Sequence, residues 1–408
     1  MSFLAVDNLK QGMVVDQDVV DINKRLLISK GQELSEKHLR ILKIWGVAEI
    51  SVVSDGDAAP QETPPTDVEK ATRIKEALDF ILQHFDISGP TIGDVYQLAF
   101  LYRYRLDSDP KPIAIAQRSK QEAGKTKVPN IKEKIHRIDV QLPEAPELIS
   151  ELNAVISDPL GTSNDIAQVV NKSPSLAAML LKLVNSAFYG FPAKIDRISR
   201  AVSLIGSKEI SNLALGLCVM RAFDDISPDV IQLPVFMKHS VACGLMARIM
   251  GARVNMKQTE QLFVAGLLHD IGKLIVYKYF PNGAVECFAE AAESNDSVYR
   301  AERKVLGLHH TQIGRMLVKK WQLPAELEDV IVHHHSPAQA SHPGKAAIVQ
   351  MADLLVHTLG VGNSGEWMVP HFDHPYWAKL GLANSSLSTI VHQALHQLQS
   401  IDAAFNPS

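Results

Sequence analysis

The residues able to do chemistry are histidines and aspartates set inside apolar text. The chain has 16 His in 408 residues, unevenly placed. His269 and Asp270 stand in "LLHDIGK", with Lys273 one helical turn beyond Asp270. His239 lies in "FMKHSVACGLMARIM", His309 and His310 in "GLHHTQIG", His333 to His335 in "VIVHHHSP", and Asp353 in "VQMADLLVH". Neutral imidazole plus carboxylate suits iron, manganese or zinc, and helical bundles bind metals through inward-facing side chains of this kind. A bound divalent ion would compensate Asp270 and Asp353, whose burial without partners is costly. It would also let phosphate approach, with Lys273 as a point-charge partner.

Each piece alone has an ordinary structural explanation. A single buried His is more often a hydrogen-bonded core residue, and a lone Lys usually snorkels to solvent. A His-Asp dyad inside an apolar helix, with further His-bearing sites in the same region, points instead to metal capacity.

The elements that must position these groups read as helices. "LFVAGLLHDIGKLIVYKYF", residues 262–280, has apolar residues at helical spacing and predicts one buried helix. From about Leu142 onward almost everything is helical, punctuated at Pro159, Pro174, Gly190, Pro192, Gly206, Pro234, Gly251, Pro281 and Pro324. This defines a large all-α domain over residues 135–360. An irregular stretch and the helix "NSSLSTIVHQALHQLQSI" make up residues 361–408. Residues 1–53 predict a small α+β module. Two β-rich runs flank a polar turn at Asp21 to Lys24, Ser35 caps "EKHLRILKIW", Gly46 ends that helix, and "VAEISVV" forms another strand. Residues 54–134 read as a linker with helical segments near Val68–Phe85 and Ile92–Arg105. Its Lys-bearing part, "DSDPKPIAIAQRSKQEAGKTKVPN", reads as solvated. In "NSAFYG", residues 185–190, Gly190 is expected as a helix cap with the aromatics anchoring the next loop.

Composition excludes several function classes. At 46% hydrophobic and 21% charged, the chain is an ordinary globular protein. A net charge of -4 gives no basic footprint for nucleic acid. No apolar run reaches the roughly 18 residues of a membrane span, and the N-terminus lacks the order of a signal peptide. Cys218, Cys243 and Cys287 have no CxxC spacing and read as small core residues, consistent with a reducing cytoplasm. A cytoplasmic protein without nucleic-acid or membrane partners is expected.

The order His, His-Asp, His, His-His, Asp resembles the HD superfamily of metal-dependent phosphohydrolases. More specifically, "LVNSAFYGFPAKIDRISRAVSLIGSKEISNLAL" and "HHTQIGRMLVKKWQLPAELEDVIVHHHSP" are similar to the two halves of an HDOD domain, the HD-related output domain. The N-terminal "LKQGMVVDQDVVDINKRLLISKGQELSEKHLRILKIWGV" resembles the small module that often precedes HD-GYP phosphodiesterase domains. The resemblance implies a mainly α protein, a large all-helical HD-like bundle preceded by the small α+β module. It also implies metal ligands at His239, His269, Asp270, His310, His334, His335 and Asp353, with Lys273 as a phosphate contact. His309 and His333 would lie behind the ligands or face solvent. Many HDOD domains have lost some of these residues and act as non-catalytic signalling modules, whereas this chain keeps the set. An HD-GYP enzyme continues past its His pair with Glu and a Gly-Tyr-Pro loop, and here "SPAQASHPGK" follows His335. The implied function is signal relay to a partner protein, with a divalent metal and a nucleotide as ligands to be tested. The alternative is a metal-dependent phosphohydrolase acting on a nucleotide or cyclic dinucleotide.

Overall fold

The computed structural model describes residues 2–5, 9–20, 26–44, 49–52, 68–106, 133, 146–158, 161–186, 189–223, 226–370, 372 and 374–405. The turn at Asp21 to Lys24, Gly46, the 54–67 stretch, nearly all of 107–145 and Phe188 lie outside them.

In the N-terminal part, β1 (Ser2–Ala5) pairs antiparallel with β4 (Glu49–Val52), and β2 (Val19–Val20) with β3 (Leu26–Ile28). Helix α1 (Glu36–Ile44) lies between β3 and β4, and Ser35 Oγ accepts the His38 N–H at 3.3 Å as its cap. Val15, Ile28, Leu34, Leu42 and Ile50 form a small hydrophobic cluster of their own. Strand β1 has no counterpart in the sequence expectation, because "SFLA" is too short to show a period.

Everything described beyond residue 67 is helix and connection. The elements are α2 (Val68–Ile81), α3 (Pro90–Leu106), α4 (Glu147–Ser157), α5 (Ser163–Asn171), α6 (Pro174–Asn185), α7 (Ile198–Ile205), α8 (Ser207–Arg221) and α9 (Leu233–Arg253). They continue with α10 (Thr259–Leu268), α11 (Ile271–Tyr279), α12 (Pro281–Ser294), α13 (Val298–Val305), α14 (His310–Lys320) and α15 (Ala325–His333). The last are α16 (Pro343–Leu359), α17 (His374–Lys379) and α18 (Leu387–Phe405). The mainly α, HD-like expectation is met. Local chemistry sets several starts. Thr162 and Asp165 form a capping box on α5, and Ser173 followed by Pro174 opens α6.

One hydrophobic core spans all of this, with α9 at its centre packed on α10, α16 and α18. Two expectations about extent change here. The α2–α3 pair, read as part of a linker, buries Ile74, Leu78 and Ile81 in that same core, and Arg103 on α3 donates to the Thr358 carbonyl at 2.6 Å. The C-terminal α18 likewise buries Ile390, Val391 and Leu398 in it. In both, apolar residues spaced three or four apart make one stripe that only the bundle can cover.

The "NSAFYG" expectation also changes. Helix α6 ends at Asn185, with Ser186 as its C-terminal cap, four residues before Gly190. The Asn185 side chain explains the stop: it donates to the Leu181 and Ile195 carbonyls and accepts the Ile195 N–H at 2.7 Å, clamping the outgoing loop. Gly190 serves a turn in that loop at φ +60°. Tyr189 and Phe191 stack there, 5.8 Å between centroids.

Candidate metal centre

The stretch read as one helix over 262–280 is two. Helix α10 ends at Leu268, His269 is its cap, and Asp270 (φ −97°, ψ 15°) opens α11. The apolar period runs through this break, so the sequence pattern hides it. The break sets His269 and Asp270 at the junction, where both side chains face the interior: their exposures are 0% and 1%.

Two close helix crossings bring the other groups to this junction. Where α9 meets α10, a Cβ on Gly266 would lie 2.8 Å from Gly244 Cα, and one on Gly244 would lie 2.6 Å from the Phe263 carbonyl oxygen. Only hydrogen fits at both, so the backbones touch and His239 on α9 reaches His269. At the second crossing, a Cβ on Gly272 of α11 would stand 1.9 Å from the His310 carbonyl oxygen of α14. That approach delivers His310 to Asp270. His334 and His335 follow the end of α15, and Asp353 comes from α16.

The seven His and Asp residues fall into two adjoining groups. In the first, His239 Nε2 is 3.1 Å from Asp353 Oδ1, and His269 Nε2 is 3.6 Å from the same oxygen. Cys243 joins them: the ligand-type atoms of His239, Cys243, His269 and Asp353 all lie within 4.8 Å of one another. In the second, Asp270 Oδ1 is 3.0 Å from His310 Nε2 and 3.8 Å from His334 Nε2, and Asp270, His310, His334 and His335 meet the same 4.8 Å limit. Asp270 links the groups, its Oδ2 lying 3.4 Å from His269 Nε2.

Three outer contacts fix which ring nitrogen faces inward. The Nδ1–H of His269 donates to the Gly266 carbonyl at 2.7 Å and that of His334 to the Ile331 carbonyl at 2.9 Å. His310 Nδ1 donates to the Glu302 carboxylate at 2.9 Å. Each therefore turns Nε2 toward the centre, the arrangement that second-shell partners impose on metal-binding imidazoles. His269 Nε2, Asp270 Oδ1 and His335 Nε2 are buried there with no hydrogen-bond partner among the described residues. With the His310 proton on Nδ1, its Nε2 and Asp270 Oδ1 face each other as two acceptors 3.0 Å apart. Buried polar atoms left so are rare and costly. Several converging on one point, with imidazole and carboxylate chemistry, fit a divalent cation.

Electrostatics agree with that donor set. Burial pushes the His334 and His335 imidazoles well below their ordinary range, which keeps them neutral and able to ligate. Burial would also depress His269, but Asp270 and Asp353 outweigh it and raise the ring to about 10, so a proton and a cation compete for that lone pair. Burial raises Asp270, yet Lys273, His269 and His310 together hold it well below the usual carboxylate range.

Lys273 is 3% exposed, and its ammonium donates to Asp270 Oδ2 at 2.7 Å and to Ser364 Oγ at 3.1 Å. It is thus the partner that holds Asp270 charged, and a phosphate would have to compete for it. His309 and His333 stand apart from both groups. His309 donates to the Tyr299 carbonyl at 2.9 Å and stacks on that ring at 4.1 Å. His333 lines a neighbouring cleft of about 1130 Å³, together with Tyr299, Arg303, Arg315 and Lys319. Tyr299 separates that cleft from the centre, its ring 4.3 Å from His335.

Sequence reasoning missed Cys243, Glu302, Ser364 and Glu366. The spacing of Cys243, four after His239, was the available signal for the first. Glu302 carried none, since it sits on a helix of mostly polar text. Ser364 and Glu366 belong to the irregular 361–370 stretch. There the Glu366 carboxylate accepts the Val298 and Tyr299 N–H groups, at 2.8 and 3.1 Å, and so caps α13.

An all-helical bundle gathering His and Asp from three helices and the ends of their neighbours defines an HD-like helical domain. The model of the HDOD domain family matches residues 142–337, and this part of the chain is an HDOD domain. The match takes in every candidate ligand except Asp353. An uncharacterized protein of Treponema pallidum (strain Nichols) is 26% identical over 227 residues, 55% of this chain and 43% of that protein, so the matched segment is less than half of that relative. Among solved structures, an HDOD domain protein from Geobacter sulfurreducens superposes with TM-score 0.52 at 18% identity, over 72% of this chain and 99% of that one. A protein from Marinobacter aquaeolei VT8, described as a candidate in signal transduction, superposes with TM-score 0.50 at 21% identity, over 72% of this chain and 65% of that one. These likenesses establish the fold. Among the described residues no helix is long and apolar enough to cross a membrane.

Proposed function

We propose that this protein is a signalling module in which a metal-holding HDOD domain relays a signal to a partner protein. The observation that carries the reading is enclosure. His239, His269, Asp270, His310 and His334 are at most 1% exposed, His335 is 5% exposed, the Asp353 side chain is 16% exposed, and Lys273 is already paired with Asp270. A centre so covered suits a cation that joins helices. A phosphate ester as substrate needs an open approach beside the metal. His239, His269 and Asp353 would hold one ion and Asp270, His310, His334 and His335 a second, so occupancy would tie α9, α14 and α16 to the α10–α11 junction. Binding of that kind stabilises only the state in which the ligands are gathered, and a partner that recognises this state would read it.

The alternative, a phosphohydrolase acting on a nucleotide or cyclic dinucleotide, is favoured by the donor set itself and by the basic cleft beside Tyr299. A divalent ion would supply Lewis acidity there. Against turnover of cyclic dinucleotides, the segment after His335 offers no Tyr to stack a base. The two readings separate in one experiment: metal uptake and turnover measured with manganese or ferrous iron, for wild type and for the His269→Ala, Asp270→Ala double variant. Metal uptake lost in the double variant, with little or no cyclic-dinucleotide turnover in either protein, supports the module. Robust hydrolysis that the double variant lacks overturns it in favour of the enzyme.

A further inference from the structure

Cys243 has no part in the ligand set drawn from histidine and aspartate, yet its position demands an account. It lies one turn after His239 on α9, is 0% exposed, and places Sγ 3.6 Å from His239 Nε2. Its sulfur and the ligand-type atoms of His239, His269 and Asp353 share one 4.8 Å neighbourhood. In the same group His269 Nε2 is buried with no hydrogen-bond partner among the described residues, an independent sign that a ligand belongs there. A buried cysteine is ordinarily a small core residue. The other two, Cys218 and Cys287, are also buried, but neither stands in either group.

We propose that Cys243 is the fourth ligand of the ion held by His239, His269 and Asp353, binding as a thiolate. The proposal rests on the reading of this site as a metal centre. As the metal–sulfur bond forms, the thiol proton passes to solvent, and no electron transfer is involved. Two His and one Asp leave an open position on a tetrahedral ion, the arrangement of catalytic sites. A fourth protein ligand closes it, as in structural sites. Thiolate also favours zinc or iron over manganese. The second group, Asp270 with His310, His334 and His335, offers only nitrogen and oxygen. The two positions would therefore differ in chemistry, the first sulfur-bearing and closed.

The test loads the full-length protein with cobalt(II) in a buffer free of small thiols and records the near-ultraviolet spectrum. A sulfur-to-cobalt charge-transfer band should develop on loading, vanish in Cys243→Ser, and persist in Cys218→Ser and Cys287→Ser. Cobalt uptake without the band, or a band that survives Cys243→Ser, overturns the proposal while leaving the metal centre standing. No cobalt uptake at all overturns both. Should Cys243→Ser fail to fold, X-ray absorption at the cobalt edge of the wild type decides the point: a sulfur neighbour supports the proposal, and a shell of nitrogen and oxygen alone overturns it.

Discussion

Removing the Asp270 carboxylate should leave the Lys273 ammonium stranded in the bundle. The two are 1% and 3% exposed, with Nζ 2.7 Å from Oδ2, and among the described residues the only other hydrogen-bond partner of Nζ is the neutral Ser364 hydroxyl at 3.1 Å. At an effective dielectric near 20, two unit charges at that distance attract by roughly 6 kcal/mol, part of which offsets their desolvation. Asp270→Ala should therefore destabilise the metal-free helical domain by about 3–5 kcal/mol, the range for breaking a buried pair. Adding Lys273→Met removes the stranded charge and keeps most of the volume, so the double variant should regain the larger part of the loss. The assay is chemical denaturation followed by far-ultraviolet circular dichroism, with chelator present so that metal contributes nothing. A loss below about 1 kcal/mol for Asp270→Ala, or a double variant no more stable than the single, would refute the claim that the pair is desolvated and mutually dependent.

Further predictions concern the crossings, the cap and the metal. Gly272→Ala sets a methyl against the His310 backbone and should cost about 3 kcal/mol or more and weaken metal uptake. Gly344→Ala, whose nearest contact is the flexible Met256 terminus at 3.2 Å, should be close to neutral by the same thermal melts. Burial lifts the Glu366 carboxyl from 4.5 to about 7 in the folded state, so the folded state holds that proton more tightly and stability falls as pH rises from 4.5 to 7. Glu366→Gln should remove roughly 3 kcal/mol of that decline, and unfolding curves for the two proteins that stay parallel across pH 4.5–8 would contradict it. Zinc at about a thousand times its dissociation constant should stabilise the helical domain by roughly 4 kcal/mol, seen as a raised melting temperature that chelator reverses.

The helical class was legible because apolar residues recur every three or four positions through most of the chain. Polar residues embedded in that pattern, His269 and Asp270 above all, stood out against it. The same periodicity concealed the break between α10 and α11, since a helix that ends and restarts in phase leaves no trace in the spacing of Leu267, Leu268 and Ile271. Glu302 and Glu366 could not be read at all. Their significance lies in what their carboxylates accept, the His310 ring and the α13 N-terminus, and those acceptor–donor pairs join residues 8 and 68 positions apart. Cys243 reads as an ordinary core cysteine in the sequence and is buried like one, because burial and apolar flanks are what an inert cysteine and a ligand both show. Only the fold reveals that its neighbours are imidazoles and a carboxylate.

The contacts around the centre close into a ring. Asp270 holds Lys273, Lys273 holds Ser364, and two residues on Glu366 caps α13. From α13, Glu302 orients His310, whose Nε2 returns to within 3.0 Å of Asp270. A change at any member has to be absorbed by the others, because each polar group in the ring is buried and linked to the next. Tyr299 stands on α13 between this ring and the basic cleft, its ring against His309 and His335. Loading the centre would draw Asp270 and His310 onto a shared cation and so pull on α13 at two points, through Glu302 in its middle and through Glu366 at its N-terminus. Under the proposed relay, the surface that a partner reads need not touch the metal. On that reading the face of α13 bordering the cleft would register occupancy, because its N-terminal cap and the ligand it orients belong to the same buried circuit.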